Sequence, residues 1–237
     1  DEIVDPDEGV YTALPIPVNA PEVATELIEE YGDEDGIVGI YLVTGGPEPP
    51  LGHHRYEPMY AAAAERDLAA LFHTAGSGLD EYHVAGYEKF ISTHTLGFLN
   101  NNMSQATSVV IQGIPEKFPD LDIVFLEAGI FWVDLLMSRL DTEYLKRPSE
   151  AAHLTKRPSE YMREFYYGTQ PLETDVEQRY IEMMMMEMIG GGDRLLYASD
   201  FPHWDFDRPS IIDERPFLSE AEKSKILGEN ALEVFDL

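Results

Sequence analysis

Short apolar runs alternate along this chain with longer segments in which apolar residues recur at helical spacing. The pattern predicts strands at 10–18, 36–44, 68–72, 123–126 and 195–198, and helices at 21–31, 57–66, 82–90, 102–112, 130–140, 175–189 and 219–235. Asn19 is the expected N-cap of the first helix, and Ser219 with Glu222 forms the expected capping box of the last. Strands that alternate with helices pair in parallel through right-handed crossovers, so we expect one α/β domain over residues 1–237.

Three of the predicted strands end on, or shortly before, an ionisable residue: His73, Glu127 and Asp200. The carboxyl ends of parallel strands share one edge, and side chains there converge when the sheet curls into a barrel. One histidine and two carboxylates can together hold a divalent cation. Each residue also has a simpler role, since His73 could be a core histidine, Glu127 an ion-pair partner and Asp200 a cap of the next turn. The coincidence of three such residues favours a shared site.

Other residues are candidates for a substrate pocket at the same edge. His203 and Trp204 follow Asp200 closely in the segment 199–205, Trp132 follows Glu127 in the segment 125–132, and His94 lies in the segment 92–98 before a run of three Asn. His94 could instead be a loop histidine without a role. The sequence has no Walker-type or GxGxxG phosphate loop and no GxSxG nucleophile elbow.

Charge narrows the range of partners. The 237 residues include 45 Asp and Glu against 16 Lys and Arg, for a formal net charge of −29. Nucleic acids and anionic membranes bind basic surfaces, so neither is an expected partner. No apolar stretch approaches the roughly 18 residues of a membrane span, and there is no cysteine for disulfides or thiolate ligands. We therefore expect a cytoplasmic protein that acts on a small molecule.

A set of longer motifs covers nearly the whole chain. In order, they are PLG at 50–52 leading to LFH at 71–73, GIPEKFPDL at 113–121, FLEAGIFW at 125–132, TQPLE at 169–173, SDFPH at 199–203 and ILGENA at 226–231. In this combination the sequence resembles the metal-dependent amidohydrolase-2 family, which includes non-oxidative decarboxylases of the aminocarboxymuconate-semialdehyde type.

The resemblance implies a distorted (β/α)8 barrel with one divalent metal at the carboxyl rim of its strands. His73 matches the family's metal-binding histidine of strand five, and Asp200 matches its metal-binding aspartate after strand eight. Glu127 stands where many members carry a histidine near the metal, so it is considered as a ligand, a general base or a partner of another site residue. Zinc is the first expectation for the metal, with manganese, iron and magnesium as alternatives.

The family's opening strand carries a His-x-His or Asp-x-His pair, and none occurs here before His53-His54. We therefore expect a TIM-barrel-like sheet of about six strands that lacks the first two and has open edges.

Two hypotheses follow from this expectation. In the first, the chain is the larger part of a metal-dependent enzyme that hydrolyses a C–N or C–O bond or decarboxylates its substrate. His73 and Asp200 then hold the metal, and Glu127 handles protons. In the second, the chain is a non-catalytic barrel remnant or subunit that needs a partner segment to complete the metal site. Open edges would also favour a homo-oligomer.

The acidic residues are scattered through a globular pattern, which suggests a salt-loving source organism. We expect the free energy of unfolding to rise with NaCl, because the Debye length falls to about 3 Å at 1 M and screens the repulsion. Urea unfolding followed by far-UV circular dichroism at several NaCl concentrations measures this. A sucrose series is the control, since sucrose stabilises folded proteins without screening charge. Equal stability in dilute buffer and in molar NaCl would contradict the hypothesis.

Overall fold

The computed structural model describes residues 4–74 and 86–237. Six strands form one sheet in chain order, each parallel to the next. They are β1 (Thr12–Pro15), β2 (Ile37–Val43), β3 (Ala69–His73), β4 (Ile123–Leu126), β5 (Tyr166–Gly168) and β6 (Leu195–Leu196). Sequential parallel pairing is the winding of a (β/α)8 barrel, and this sheet matches six strands of one. The predicted fold class is confirmed.

Helices connect the successive strands and follow the last one. They are α1 (Pro21–Tyr31), α2 (Glu57–Ala64), α3 (Phe90–Ile111), α4 (Ile114–Lys117), α5 (Phe131–Lys146), α6 (Pro158–Met162), α7 (Gln178–Glu182), α8 (Ser210–Asp213), α9 (Glu220–Ser224) and α10 (Asn230–Val234). Short 3-10 turns occur at Pro6–Glu8, His54–Tyr56, Pro148–Ala151 and Gly191–Asp193, and π-helical segments at Met183–Met188 and Lys225–Glu229. Within the described ranges, no helix combines the length and apolar character needed to cross a bilayer.

Most predicted elements are present with shifted ends, but one strand was not predicted and one helix begins well before its expected start. Strand β5 is absent from the prediction, because three residues are too few to establish a periodic pattern. The helix expected at 102–112 begins instead at Phe90. Its buried face carries Asn101, Asn102 and Gln105, so polar residues occupy positions where an apolar pattern was sought.

The helix ends were predicted with mixed success. The capping box of Ser219 and Glu222 is confirmed, with the hydroxyl accepting from the Glu222 amide. The Asn19 cap is wrong, because α1 follows Ala20, which makes no side-chain capping bond. Residues 82–85 of the helix expected at 82–90 lie outside the described residues, and the prediction is wrong for 86–89, which are not helical, while Phe90 begins α3.

The two faces of the sheet are buried against different partners, because side chains alternate along each strand. The outer face packs on the connecting helices, and the ring centroid of Phe125 lies 4.8 Å from that of Phe72 and 5.6 Å from that of Trp132. The inner face is covered by Val234 of α10, and its buried strand residues are Ala69, Leu71, Val124, Tyr166 and Leu196. The last helix therefore closes what would be the interior of a barrel.

Asn230 attaches this closing helix to the sheet. Its buried side-chain amide donates to the backbone oxygen of Gly192 and, at 2.8 Å, to that of Leu195. We expect Asn230→Ala to lower the free energy of unfolding by about 2 kcal/mol, because two buried carbonyl oxygens lose their donor. Urea unfolding measures the change. Leu232→Ala on the same helix is the control, since Leu232 is 52% exposed and should tolerate truncation. Equal effects of the two substitutions would show that Asn230 has no special role.

Candidate metal centre

Four side chains meet at the carboxyl edge of the sheet. His73 ends β3, Glu127 follows β4, and Asp200 and His203 lie in the loop after β6. His73 Nε2 lies 2.6 Å from Glu127 Oε2. Glu127, Asp200 and His203 each offer a ligand atom, and these three atoms lie within 4.8 Å of one another. The structure thus groups Glu127 and Asp200 with His203, which was expected to contact substrate, and it places His73 against Glu127 but outside this group of three.

Both carboxylates sit on backbone that non-glycine residues rarely adopt. The φ angle is 54° at Glu127 and 58° at Asp200, in the left-handed region. Such a conformation costs about 1–2 kcal/mol per residue and occurs most often at functional sites. The turn after Glu127 is held in place, because Trp132 Nε1 donates to Gly129 O at 3.0 Å and Gly129 N donates to Gln170 O at 3.3 Å.

Gly129 is required for this turn. Its φ is 61°, and a Cβ at this position would lie 2.7 Å from the backbone oxygen of Pro171. A larger residue would therefore push apart the loops after β4 and β5, the first of which carries Glu127.

The two carboxylates repel each other in a partly desolvated place. Their side chains are only 12% exposed at Glu127 and 17% at Asp200. Burial raises the pKa of Asp200, and the nearby Glu127 charge raises it further. His203 Nδ1, 2.9 Å from Asp200 Oδ2, opposes the shift in pKa. Two carboxylates and an imidazole are a suitable donor set for a divalent cation, which would also relieve this repulsion.

His73 is held from its other ring nitrogen. The Tyr41 hydroxyl on β2 lies 2.8 Å from His73 Nδ1, and the two ring centroids are 5.2 Å apart. Burial and the Glu127 charge raise the pKa of Tyr41. Sequence reasoning missed Tyr41. The available signal was strand alternation, which places it on the same face of the sheet as His73.

Polar residues of α3 fasten this helix to the strand ends. Asn102 Nδ2 donates to Leu126 O at 2.8 Å, and Gln105 Nε2 donates to Thr44 O at 2.9 Å. Thr44 Oγ1 and Thr74 Oγ1 lie 2.5 Å apart beside them. These contacts fix the height of α3, which carries His94, above the edge of the sheet.

His94 lies in a helix, not in the loop considered from sequence, and it borders a pocket beside the carboxylates. Its ring centroid is 5.0 Å from that of Phe90, 5.1 Å from that of Phe98 and 6.0 Å from that of Trp204. Its Nε2 lies 3.9 Å from Asp205 Oδ2. The cavity here has a volume of about 400 Å³, and its lining includes His73, Glu127 and His203.

Trp132 lies in a different place from the other expected pocket residues. It is 4% exposed and packs in the core against Phe125 and Tyr167. Its contribution to the site is indirect, through the hydrogen bond that supports Gly129.

Comparison with known proteins identifies the family of this chain. A family model described as "Amidohydrolase" matches residues 1–237. A gamma-resorcylate decarboxylase from Rhizobium sp. (strain MTP-10005) is 22% identical over 230 residues, which cover 94% of this chain and 68% of the relative.

Solved structures share the fold. An amidohydrolase from Mycobacterium avium subsp. paratuberculosis K-10 superposes with a TM-score of 0.78 and 21% identity, over 95% of this chain and 57% of that one. A dihydroxybenzoic acid decarboxylase from Polaromonas sp. JS666, with bound manganese and the inhibitor 2-nitroresorcinol, gives a TM-score of 0.71 and 22% identity over 96% and 68%. The chain thus spans 57% of the length of the mycobacterial protein.

The raised pKa of Asp200 predicts a stability gain when its charge is removed. In chelator-treated protein we expect Asp200→Asn to be more stable than the wild type at neutral pH. A carboxyl whose pKa is higher in the folded state loses stability as pH rises through its titration, whereas Asn does not. The advantage of the variant should therefore grow from about pH 4 upwards. Thermal unfolding across this pH range measures it, and a constant difference would contradict the stated cause.

Proposed function

Because this chain belongs to the amidohydrolase family, we propose that it is a metal-dependent enzyme that decarboxylates or hydrolyses a small planar molecule. The observation that carries the proposal is the group formed by Glu127, Asp200 and His203, with ligand atoms within 4.8 Å of one another. The group lies at the carboxyl edge of the strands, where barrel enzymes place their active sites. A cavity of about 400 Å³ adjoins it.

A divalent metal bound here would act as a Lewis acid towards a carbonyl or carboxylate group of the substrate. Asp200, Glu127 and His203 would hold it, and His73, whose Nε2 lies 2.6 Å from Glu127 Oε2, would be a further ligand. Zinc remains our first choice. Manganese is the second, because carboxylate-rich donor sets suit it and the Polaromonas decarboxylase contains it.

The remaining groups are assigned to proton transfer and substrate binding. Glu127, bonded to His73, is placed to exchange a proton with the substrate, since it borders the cavity. The aromatic walls formed by His94, Phe98 and Trp204 suit a flat ring.

Decarboxylation is our first choice of reaction, because the similar Rhizobium and Polaromonas proteins carry the names of decarboxylases. In that reaction the bond from a ring carbon to its carboxylate breaks, CO₂ leaves and the carbon takes up a proton.

A second candidate is a subunit whose site is completed by another segment or by a second copy of the chain. Trp204, which lines the pocket, is 78% exposed, and Phe201 in the same loop is 73% exposed, which favours a covering partner. Protein that is folded, metal-free and tightly associated with another chain would support this candidate.

Metal binding tests the proposed centre directly. We expect the wild type to bind Zn²⁺ or Mn²⁺ by calorimetry, and Asp200→Asn and Glu127→Gln each to bind at least about tenfold more weakly, because each loses a charged ligand. Asp213→Asn is the matched control, since it removes the same charge from exposed α8.

The activity assay accompanies this titration. Release of CO₂ from a panel of hydroxybenzoates, and hydrolysis of matched benzamides, should depend on the added metal in the wild type. Unchanged metal content in both site variants would remove the central claim.

A further inference from the structure

Tyr41 and His73 form a contact that the proposed function does not yet use. Both lie on the inner face at the carboxyl end of neighbouring strands, where Val43 of β2 pairs with His73 and Tyr41 pairs with Leu71. This register lets the Tyr41 hydroxyl reach His73 Nδ1 at 2.8 Å, while Nε2 on the other side of the ring lies 2.6 Å from Glu127 Oε2. A chain of contacts thus runs from β2 through β3 to the loop after β4.

The hydrogen-bond acceptors along these contacts determine which atoms carry the hydrogens. An ionised carboxylate can only accept a hydrogen bond, so a His73 ring bonded to ionised Glu127 carries its hydrogen on Nε2 and donates it to the carboxylate. In the neutral ring Nδ1 is then bare and accepts from the Tyr41 hydroxyl. A metal needs the lone pair of a ring nitrogen, so a neutral His73 that turns Nε2 to a cation must carry its hydrogen on Nδ1. The hydrogen on Nδ1 then needs a hydrogen-bond acceptor at the position where the Tyr41 hydroxyl had acted as a donor.

A tyrosine hydroxyl meets both demands, because it can donate one hydrogen bond and accept another. A backbone carbonyl in the same place could serve only the second state, and an ammonium group only the first.

We propose that Tyr41 is a positioning residue of the metal centre. It holds the His73 ring and changes from donor to acceptor when Nε2 exchanges the Glu127 carboxylate for a divalent cation. The inference rests on the proposed function, since it needs the centre to take up a metal. It concerns the tautomer of His73, and so it can fail while metal binding stands.

Nitrogen-15 NMR of histidine-labelled protein tests the exchange. In chelator-treated wild type we expect the His73 hydrogen on Nε2, and after Zn²⁺ is added we expect it on Nδ1. Spectra of His73→Gln identify the His73 signals among the seven histidines of the chain. The same tautomer in both states would overturn the proposal.

Affinity gives a second readout. Tyr41→Phe keeps the ring but removes the hydroxyl, and we expect it to weaken Zn²⁺ binding by about tenfold or more, as is usual for groups that orient a metal ligand. Tyr60→Phe is the matched control. Tyr60 lies on α2, away from the site, and its buried hydroxyl donates to Leu51 O.

The outcomes separate the two proposals. Wild-type Zn²⁺ affinity in Tyr41→Phe would overturn the role of Tyr41 and leave the metal centre intact. A wild type that binds neither Zn²⁺ nor Mn²⁺ would defeat the proposed function itself. If Tyr41→Phe fails to fold by circular dichroism, the tautomer measurement on the wild type still decides the inference.

Discussion

The parallel pairing of six strands in chain order is the constraint on which the rest of this structure depends. Parallel strands need crossovers, so the helices cover the outer face, and every strand delivers its carboxyl end to the same edge. His73, Glu127 and Asp200 are far apart in sequence and close in space for this reason alone. In a closed barrel, side chains from all the strands would cover the inner face. Here α10 covers it.

The candidate site combines strained backbone with two like charges. Glu127 and Asp200 occupy left-handed backbone, and they place two partly buried carboxylates within 4.8 Å of each other. The surrounding structure holds this arrangement through the Trp132–Gly129 bond and the loop of Gln170. Strained backbone and like charges that neighbouring contacts hold together are features that cluster at functional sites, and they support the proposed cation site.

Glu127 gives this centre its own character. Where the resemblance leads one to expect a histidine near the metal, this chain has a carboxylate bonded to His73, which is itself held by Tyr41. The centre therefore carries more negative charge than an imidazole at this position would give. The His73 ring links the Glu127 carboxylate to the Tyr41 hydroxyl, so a change in the hydrogen bonding of one of these groups affects the other.

Sequence by itself determined the alternation of strands and helices, the ends of β4, and the three ionisable residues at or after the strand ends, because apolar periodicity and turn chemistry are local properties. It missed β5, which is too short to show a period, and residues 90–101 of α3, where polar residues such as the buried Asn101 interrupt the apolar pattern of a helix. Only the tertiary structure showed that His203 joins the carboxylates, that Trp132 lies in the core, and that Tyr41 holds His73. These are relations between residues on different elements, and packing, not local sequence, sets the distance and direction of each contact.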